Sequence, residues 1–234
     1  MILAIETAVE RVGVAIGDGT GARASAMLSS DRRHAESLAP MIDFVLSQAG
    51  LAVSDIDHIA VDVGPGLFTG MRVGMATAQM MAWALDVPVI PVCSLDALAF
   101  GHGPSEDPVA VALDARRGEV YFALYRESEE VGEPHLLQAP LVMTPQDAAI
   151  AIADRGETTV CIGSGFHRHA DEFETIPWVR TGPSQLHMPR AEDVLGLAAL
   201  RASREMWTTP DGVEPVYLRA PDAEIHWQTR EAAR

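Results

Sequence analysis

The stretch VDVGPGLFTGMRVGMATAQMMAWALDVPVIPV, Val61–Val92, decides how the rest of the chain is read. It begins with an apolar strand end and passes through a turn rich in glycine. It continues as a helix from near Thr69 to about Leu85 and closes on a short strand bounded by Pro88 and Pro91. Gly64, Gly66 and Gly70 leave the turn without Cβ atoms, Pro65 restricts φ, and Thr69 is placed to cap the helix. Free N–H groups at a helix start hold anions, so Gly64, Gly66, Thr69 and Gly70 are candidates for an anion site. The competing reading is a structural turn. The spacing matches neither a Walker loop, which needs a lysine after the glycines, nor G-x-G-x-x-G.

The helix itself is apolar nearly all round. Met71, Met75, Ala78, Met81, Ala82 and Leu85 form one face, and Val73, Ala76, Met80 and Trp83 fill much of the rest. Such a helix is buried on most sides. It is either a central core helix or one that offers a face to a partner, for which adaptable methionines are suited.

Upstream, Ile2–Ile5, Arg11–Ile16 and Ala22–Ser29 read as an antiparallel meander. Between His34 and Ala49 the period changes to that of a helix, with Leu38, Met41, Ile42, Val45, Leu46 and Ala49 in one stripe and Phe44 outside it. This apolar arc too is wider than one core contact needs. Ile56–Val61 is the next strand. The order strand, helix, strand, helix, strand predicts a partly parallel sheet with crossover helices.

Residues 101–108, GHGPSEDP, read as a linker between an N-terminal domain, 1–100, and a C-terminal one, 109–220. In the second, Val109–Asp114 and Glu119–Tyr125 form a hairpin around ARRG. A helix starts at Thr144–Pro145, and TTVCIGSG is a strand running into a turn. The last helix, about 190–206, is placed to pack back on the first domain. EPVYLR is a late strand or an extended docking segment, and 221–234 is expected to be a loose tail. The two halves carry similar elements without a plain sequence repeat.

Composition narrows the function. The chain has 234 residues, 33 acids against 17 bases and a formal charge of −16, and every base is arginine. That balance opposes a broad nucleic-acid surface. Cys93 and Cys161 lie in apolar runs and read as buried thiols. No apolar run reaches the ~20 residues of a membrane span, and the first residues lack a signal-peptide pattern. A cytoplasmic protein is expected.

No acid–base or nucleophilic set emerges. His34 and Glu36 are two apart and do not share a helix face; with Asp43 they form no metal site, since Leu38 stands where a His-x-x-x-His pair needs its second ligand. Glu6 ends the first strand, but Val9, Glu10 and Arg11 crowd the hairpin where a phosphate would approach. Asp62 is placed to orient the glycine turn. Asp114, Arg116 and Arg117 sit at a hairpin tip, and His167, His169 and Asp171 are expected on a strand surface. GSG at 163–165 lacks the nucleophile-elbow spacing.

The segments MILAIETA, RRHAESLAPMIDFVLSQAGL, GPGLFTGMRVGMATAQMMAWALDVPVIPVCSLDALA, LDARRGEVYFALY and EPVYLR together resemble the TsaB (YeaZ) family. The resemblance is dense through residue 125, and 126–190 add little to it. It implies an actin-like ATPase (ribonuclease H-like) α/β fold of two related domains with mixed sheets flanked by helices. It implies a non-catalytic subunit in forming threonylcarbamoyladenosine on tRNA, with no cofactor of its own. The implied partners are a TsaD-like catalytic subunit, a TsaE-like ATPase and a second copy as a homodimer, with tRNA contacted only indirectly. Carried onto this chain, the partner surface would include Leu38, Met41, Ile42, Val45, Met71, Met75, Ala78, Met81 and Ala82. Glu6, Leu67 and Ser164 depart from residues common in relatives. The alternative is an actin-fold enzyme that binds a nucleotide itself, as a kinase or a self-sufficient carbamoyltransferase.

Overall fold

The structure is a computed structural model and describes residues 1–29, 34–127 and 132–219. Strands β1 (Ile2–Glu6), β2 (Arg11–Asp18) and β3 (Gly21–Ser29) form the antiparallel meander. Helix α1 (His34–Ala49) crosses over to β4 (His58–Asp62), and α2 (Phe68–Leu85) crosses to β5 (Val89–Val92). β4 pairs parallel to β1 and β5 parallel to β4, giving the order β3-β2-β1-β4-β5.

Helix α3 (Ser94–His102) then leads into a second sheet of β6 (Val109–Asp114), β7 (Val120–Arg126), β8 (His135–Met143), β9 (Thr159–Ile162) and β10 (Val179–Thr181). Its order, β8-β7-β6-β9-β10, repeats the first sheet strand for strand. Again the first three strands are antiparallel and the last two parallel. This is the duplicated mixed-sheet architecture of the actin-like fold.

Alternation along the strands sorts the core. In β1, Leu3 and Ile5 face a cluster with Leu38, Val45, Met71 and Ala78 from α1 and α2. Ile2 and Ala4 face the other way, onto Val194, Leu195 and Ala198 of α7 (Ala191–Ser203). Period-two alternation thus puts α1 and α2 on one face and α7 on the opposite one. α7 follows the second sheet in sequence and packs on the first, so the chain crosses between the two sheets twice.

Several elements differ from the sequence-based expectation. α3 continues to His102, into the residues read as linker, and its end is followed by an extended 103–108. After β9 the chain forms α5 (Ser164–Arg168) and α6 (Ala170–Phe173), so His167 lies on a helix and not on a strand. α4 (Pro145–Ala153) starts as expected: the Thr144 hydroxyl accepts the N–H of Asp147 at 3.1 Å. EPVYLR is an extended strap; Val216 N–H bonds the Val63 carbonyl at 2.8 Å, and no ladder forms. The tail at 221–234 lies outside the described residues.

Candidate functional site: the glycine turn and the outward faces of two helices

The glycines of the opening stretch make room for the chain's own first hairpin. A Cβ on Gly66 would collide with the Ala8 carbonyl, one on Gly70 with the Thr7 carbonyl, and one on Gly74 with the Thr7 hydroxyl. The Leu67 N–H, at the helix start, donates to the Ala8 carbonyl at 2.6 Å. Thr7 donates its hydroxyl to the Gly70 carbonyl at 2.9 Å. The helix begins at Phe68, with Leu67 in the capping position and no side-chain cap. Thr69 is therefore not the cap; it lies inside the first turn, exposed. Gly64 takes φ 92°, a left-handed conformation that favours glycine. Ser94 N–H, at the start of α3, bonds the Gly64 carbonyl at 2.9 Å.

Beneath the turn lie two buried carboxyls. Asp62 accepts the Gly64 N–H at 2.7 Å and the Ser94 hydroxyl at 2.6 Å, both on Oδ1. Glu6 accepts the Ala8 N–H at 2.7 Å. Burial pushes the Asp62 carboxyl up to about 7, against the pull of those two hydrogen bonds. Glu6 is raised well above the carboxylate range by burial, and then by the charge of Asp62.

The other candidates scatter. His34 Nε2 lies 2.9 Å from the Val9 carbonyl, buried, and holds the hairpin to α1. Glu36 and Asp43 are exposed. Glu10 pairs with Arg116, linking the first hairpins of the two halves. Asp114 accepts Arg168 at 3.0 Å and the Arg116 N–H at 3.0 Å, while Arg117 sits beside them at φ 56°. His167 stacks on His187 with centroids 4.4 Å apart; His169 and Asp171 are not in that stack. Cys161 is buried and Cys93 half-buried, both without a disulfide. Among the described residues, no group of three or more His, Cys, Asp or Glu side chains could hold a metal.

The helix faces require a correction. Leu38, Ile42, Val45, Met71, Met75, Ala78 and Ala82 are buried in the chain's own core. Met41 and Met81 are partly buried against the same cluster. The seven buried side chains cover the first sheet, while Met41 and Met81 keep part of their surface exposed. The outward faces carry Phe44 (51% exposed), Phe68 (43%), Met80 (61%) and Trp83 (50%). The stripe with the strongest apolar period marked the side facing the sheet. The surplus residues beyond it mark the side that faces out, and that signal was present in Phe44, Met80 and Trp83.

Arg72 organises the start of the outward face. Its guanidinium lies 3.8 Å over the Phe68 ring, and its Nε donates to the Tyr217 hydroxyl at 3.0 Å. Phe68 and Tyr217 stack at 5.8 Å. Tyr217 belongs to the strap, so this aromatic cluster joins α2 to the end of the described chain.

The comparisons with known proteins agree with this architecture. The tRNA threonylcarbamoyladenosine biosynthesis protein TsaB of Escherichia coli (strain K12) is 33% identical over 221 residues, covering 93% of this chain and 94% of its own. The chain belongs to the TsaB family. The TsaB of Haemophilus influenzae is 32% identical over 239 residues, covering 97% and 95%. The structure of YeaZ from Pseudomonas aeruginosa superposes with a TM-score of 0.79 at 32% identity, over 93% of this chain and 99% of that one. A family model described as TsaD, tRNA N6-adenosine threonylcarbamoyltransferase, matches residues 28–154. That match includes α1, the glycine turn and α2. In this TsaB-family chain the position one turn after His34 is Leu38, sealed in the core. No helix among the described residues is long and apolar enough to cross a membrane.

Proposed function

We propose that this chain is the non-catalytic subunit required to form threonylcarbamoyladenosine on tRNA. In this reading it supports a TsaD-like catalytic subunit, in the cytoplasm, within a complex that a TsaE-like ATPase joins. The observation that carries the reading is the end-to-end relationship to proteins named for that biosynthesis. The site is compatible with it: the first hairpin closes on the glycine turn, Glu10 pairs with Arg116, and His34 is tied to the backbone. Clusters of exposed Phe, Met, Trp and Arg are the composition of protein interfaces, which supports α1 and α2 as the surface for TsaD or a second copy. The formal charge of −16 favours tRNA reaching the complex through another subunit.

Reconstitution tests it. The purified chain alone, given tRNA and the threonylcarbamoyl adenylate, is expected to make no product. Adding TsaD and TsaE should restore it, and leaving this chain out should abolish it. Turnover by the chain alone, or undiminished turnover without it, would refute the reading. A homodimer in the absence of TsaD is the second expectation, read by light scattering.

A further inference from the structure

Glu6 and Asp62 lie side by side. β1 and β4 pair parallel with Ile5 opposite Val61, so the next residues on each strand are Glu6 and Asp62. They share the sheet face that carries Ala4 and Ala60, a strand spacing of about 4.8 Å apart. Glu6 is 1% exposed and Asp62 is fully buried. The two hydrogen bonds to Asp62 both fall on Oδ1, and its buried Oδ2 has no partner. Two ionised carboxylates in this position would repel each other without water to screen them.

The surroundings do not neutralise them. Arg11, from β2, is the cation that acts on Glu6, and it does so through space without a hydrogen bond to it; Arg11 also acts on His187. From the start of α3 come Asp96, a further negative charge, and the Cys93 thiol, which burial holds protonated. α7 brings Arg190 and Asp193, bonded to each other at 2.7 and 2.8 Å. His34 works from the opposite face on the Val9 carbonyl. Two carboxyls also offer too few oxygens for a hard cation, which takes six or more.

We infer that Glu6 and Asp62 share a single proton in the folded chain, and that this proton ties the first hairpin to the glycine turn beneath α2. The proton sits between Asp62 Oδ2 and the Glu6 carboxyl, giving the unpartnered oxygen its hydrogen bond. Unfolded, both carboxyls ionise near pH 4, so folding takes up a proton at neutral pH. Because the folded state binds the extra proton, stability falls as pH rises above about 4, the unfolded value, until the pair, raised by burial, releases it. Once that proton is lost the two segments repel, loosening the start of α2.

The test is urea unfolding of the full chain from pH 5 to 8, alongside Asp62→Asn and Glu6→Gln. In Asp62→Asn the amide can donate to Glu6 where the proton sat, while its oxygen keeps Ser94 and Gly64. The ratio of variant to wild-type folding constants is expected to rise by up to tenfold per pH unit above about pH 5 while the shared proton is being lost. Infrared spectra of the folded wild type at pH 7 should show a protonated-carboxyl band. This readout does not depend on the variants' stability. A constant ratio across the pH range, or a wild type without the band, would overturn the inference.

Discussion

The backbone N–H of Leu67 and the carbonyl of Ala8 meet at 2.6 Å, joining the glycine turn to the first hairpin across 59 residues of sequence. That closeness is possible only because residue 66 has no side chain. Gly66→Ala should cost about 1–3 kcal/mol, the usual range for overpacking a tight contact, and Gly70→Ala and Gly74→Ala should do likewise. Gly19→Ala is the control: nothing lies within 4 Å of a Cβ there, and the change should stay within about 0.5 kcal/mol. Urea midpoints measured on the four variants check the ranking. A neutral Gly66→Ala would mean that the turn and hairpin are not held together.

The two sides of α1 and α2 should respond oppositely to charge. Met80→Asp and Phe44→Asp place a carboxylate in water, and the far-ultraviolet spectrum and urea midpoint should stay near those of the wild type. Binding to TsaD, or self-association, should weaken by tenfold or more if these side chains anchor the interface. Val45→Asp and Met75→Asp bury an unpaired charge and should unfold the chain. The expected signature is that binding and folding separate for the first pair and fail together for the second.

That contrast also shows what could be read before the structure. The period-two strands around Leu3 and Val14 and the helical period of Leu38, Ile42 and Val45 were legible, because burial alternates with the backbone geometry. The same periodicity picked out the stripe that faces the sheet. A buried stripe and a docking stripe obey one rule, and only the sheet's position tells which is which. The role of Gly66 and Gly74 was hidden for a related reason: close approach is a relation to Thr7 and Ala8, distant in sequence. β8, apolar without a strict alternation and broken by Pro140, and the three-residue β10 gave no clear strand period. The adjacency of Glu6 and Asp62 depends on the β1–β4 register, which no local pattern specifies.

The strap should report on the Arg72 cluster. Tyr217→Ala removes both the ring stacked on Phe68 and the acceptor of Arg72 Nε. Exposed aromatic and cation–π contacts contribute about 0.5–1 kcal/mol each, so the global midpoint should move little. Local release is the larger expected effect. Limited proteolysis should cut after Arg219 or Tyr217 several-fold faster in Tyr217→Ala, and amide exchange at Val216, which bonds Val63, should accelerate. Tyr217→Phe should restore the stacking and leave only the loss of the hydroxyl. If Tyr217→Ala leaves cleavage and exchange unchanged, the strap is held by Val216 and by Arg219, which donates to the Ala115 carbonyl at 3.2 Å, without help from the aromatic cluster.

Arg201 carries the sharpest prediction about how the two halves are held. From α7 it donates to Asp96 at 2.9 Å, to Glu133 at 3.0 Å and to the Pro91 carbonyl at 2.9 Å. Asp96 also accepts the Tyr125 hydroxyl of the second sheet at 2.8 Å. One guanidinium thus connects α7, α3 and β5, and through Asp96 reaches β7. Its side chain is 15% exposed, so solvent screens it far less than the Glu10–Arg116 pair, where the arginine is 51% exposed. Arg201→Met takes the cation from Asp96, which keeps the Tyr125 hydroxyl, and from Glu133, which keeps Arg204 at 3.1 Å, and strips the Pro91 carbonyl of this donor; it should cost about 3 kcal/mol, at the low end for breaking a buried ion pair. Glu10→Gln should cost less than about 1 kcal/mol and shrink further with salt. Adding Asp96→Asn to Arg201→Met should cost less than the two single changes summed, because the carboxylate left stranded by the first is neutralised by the second. Strict additivity in that cycle would show that Arg201 and Asp96 act independently.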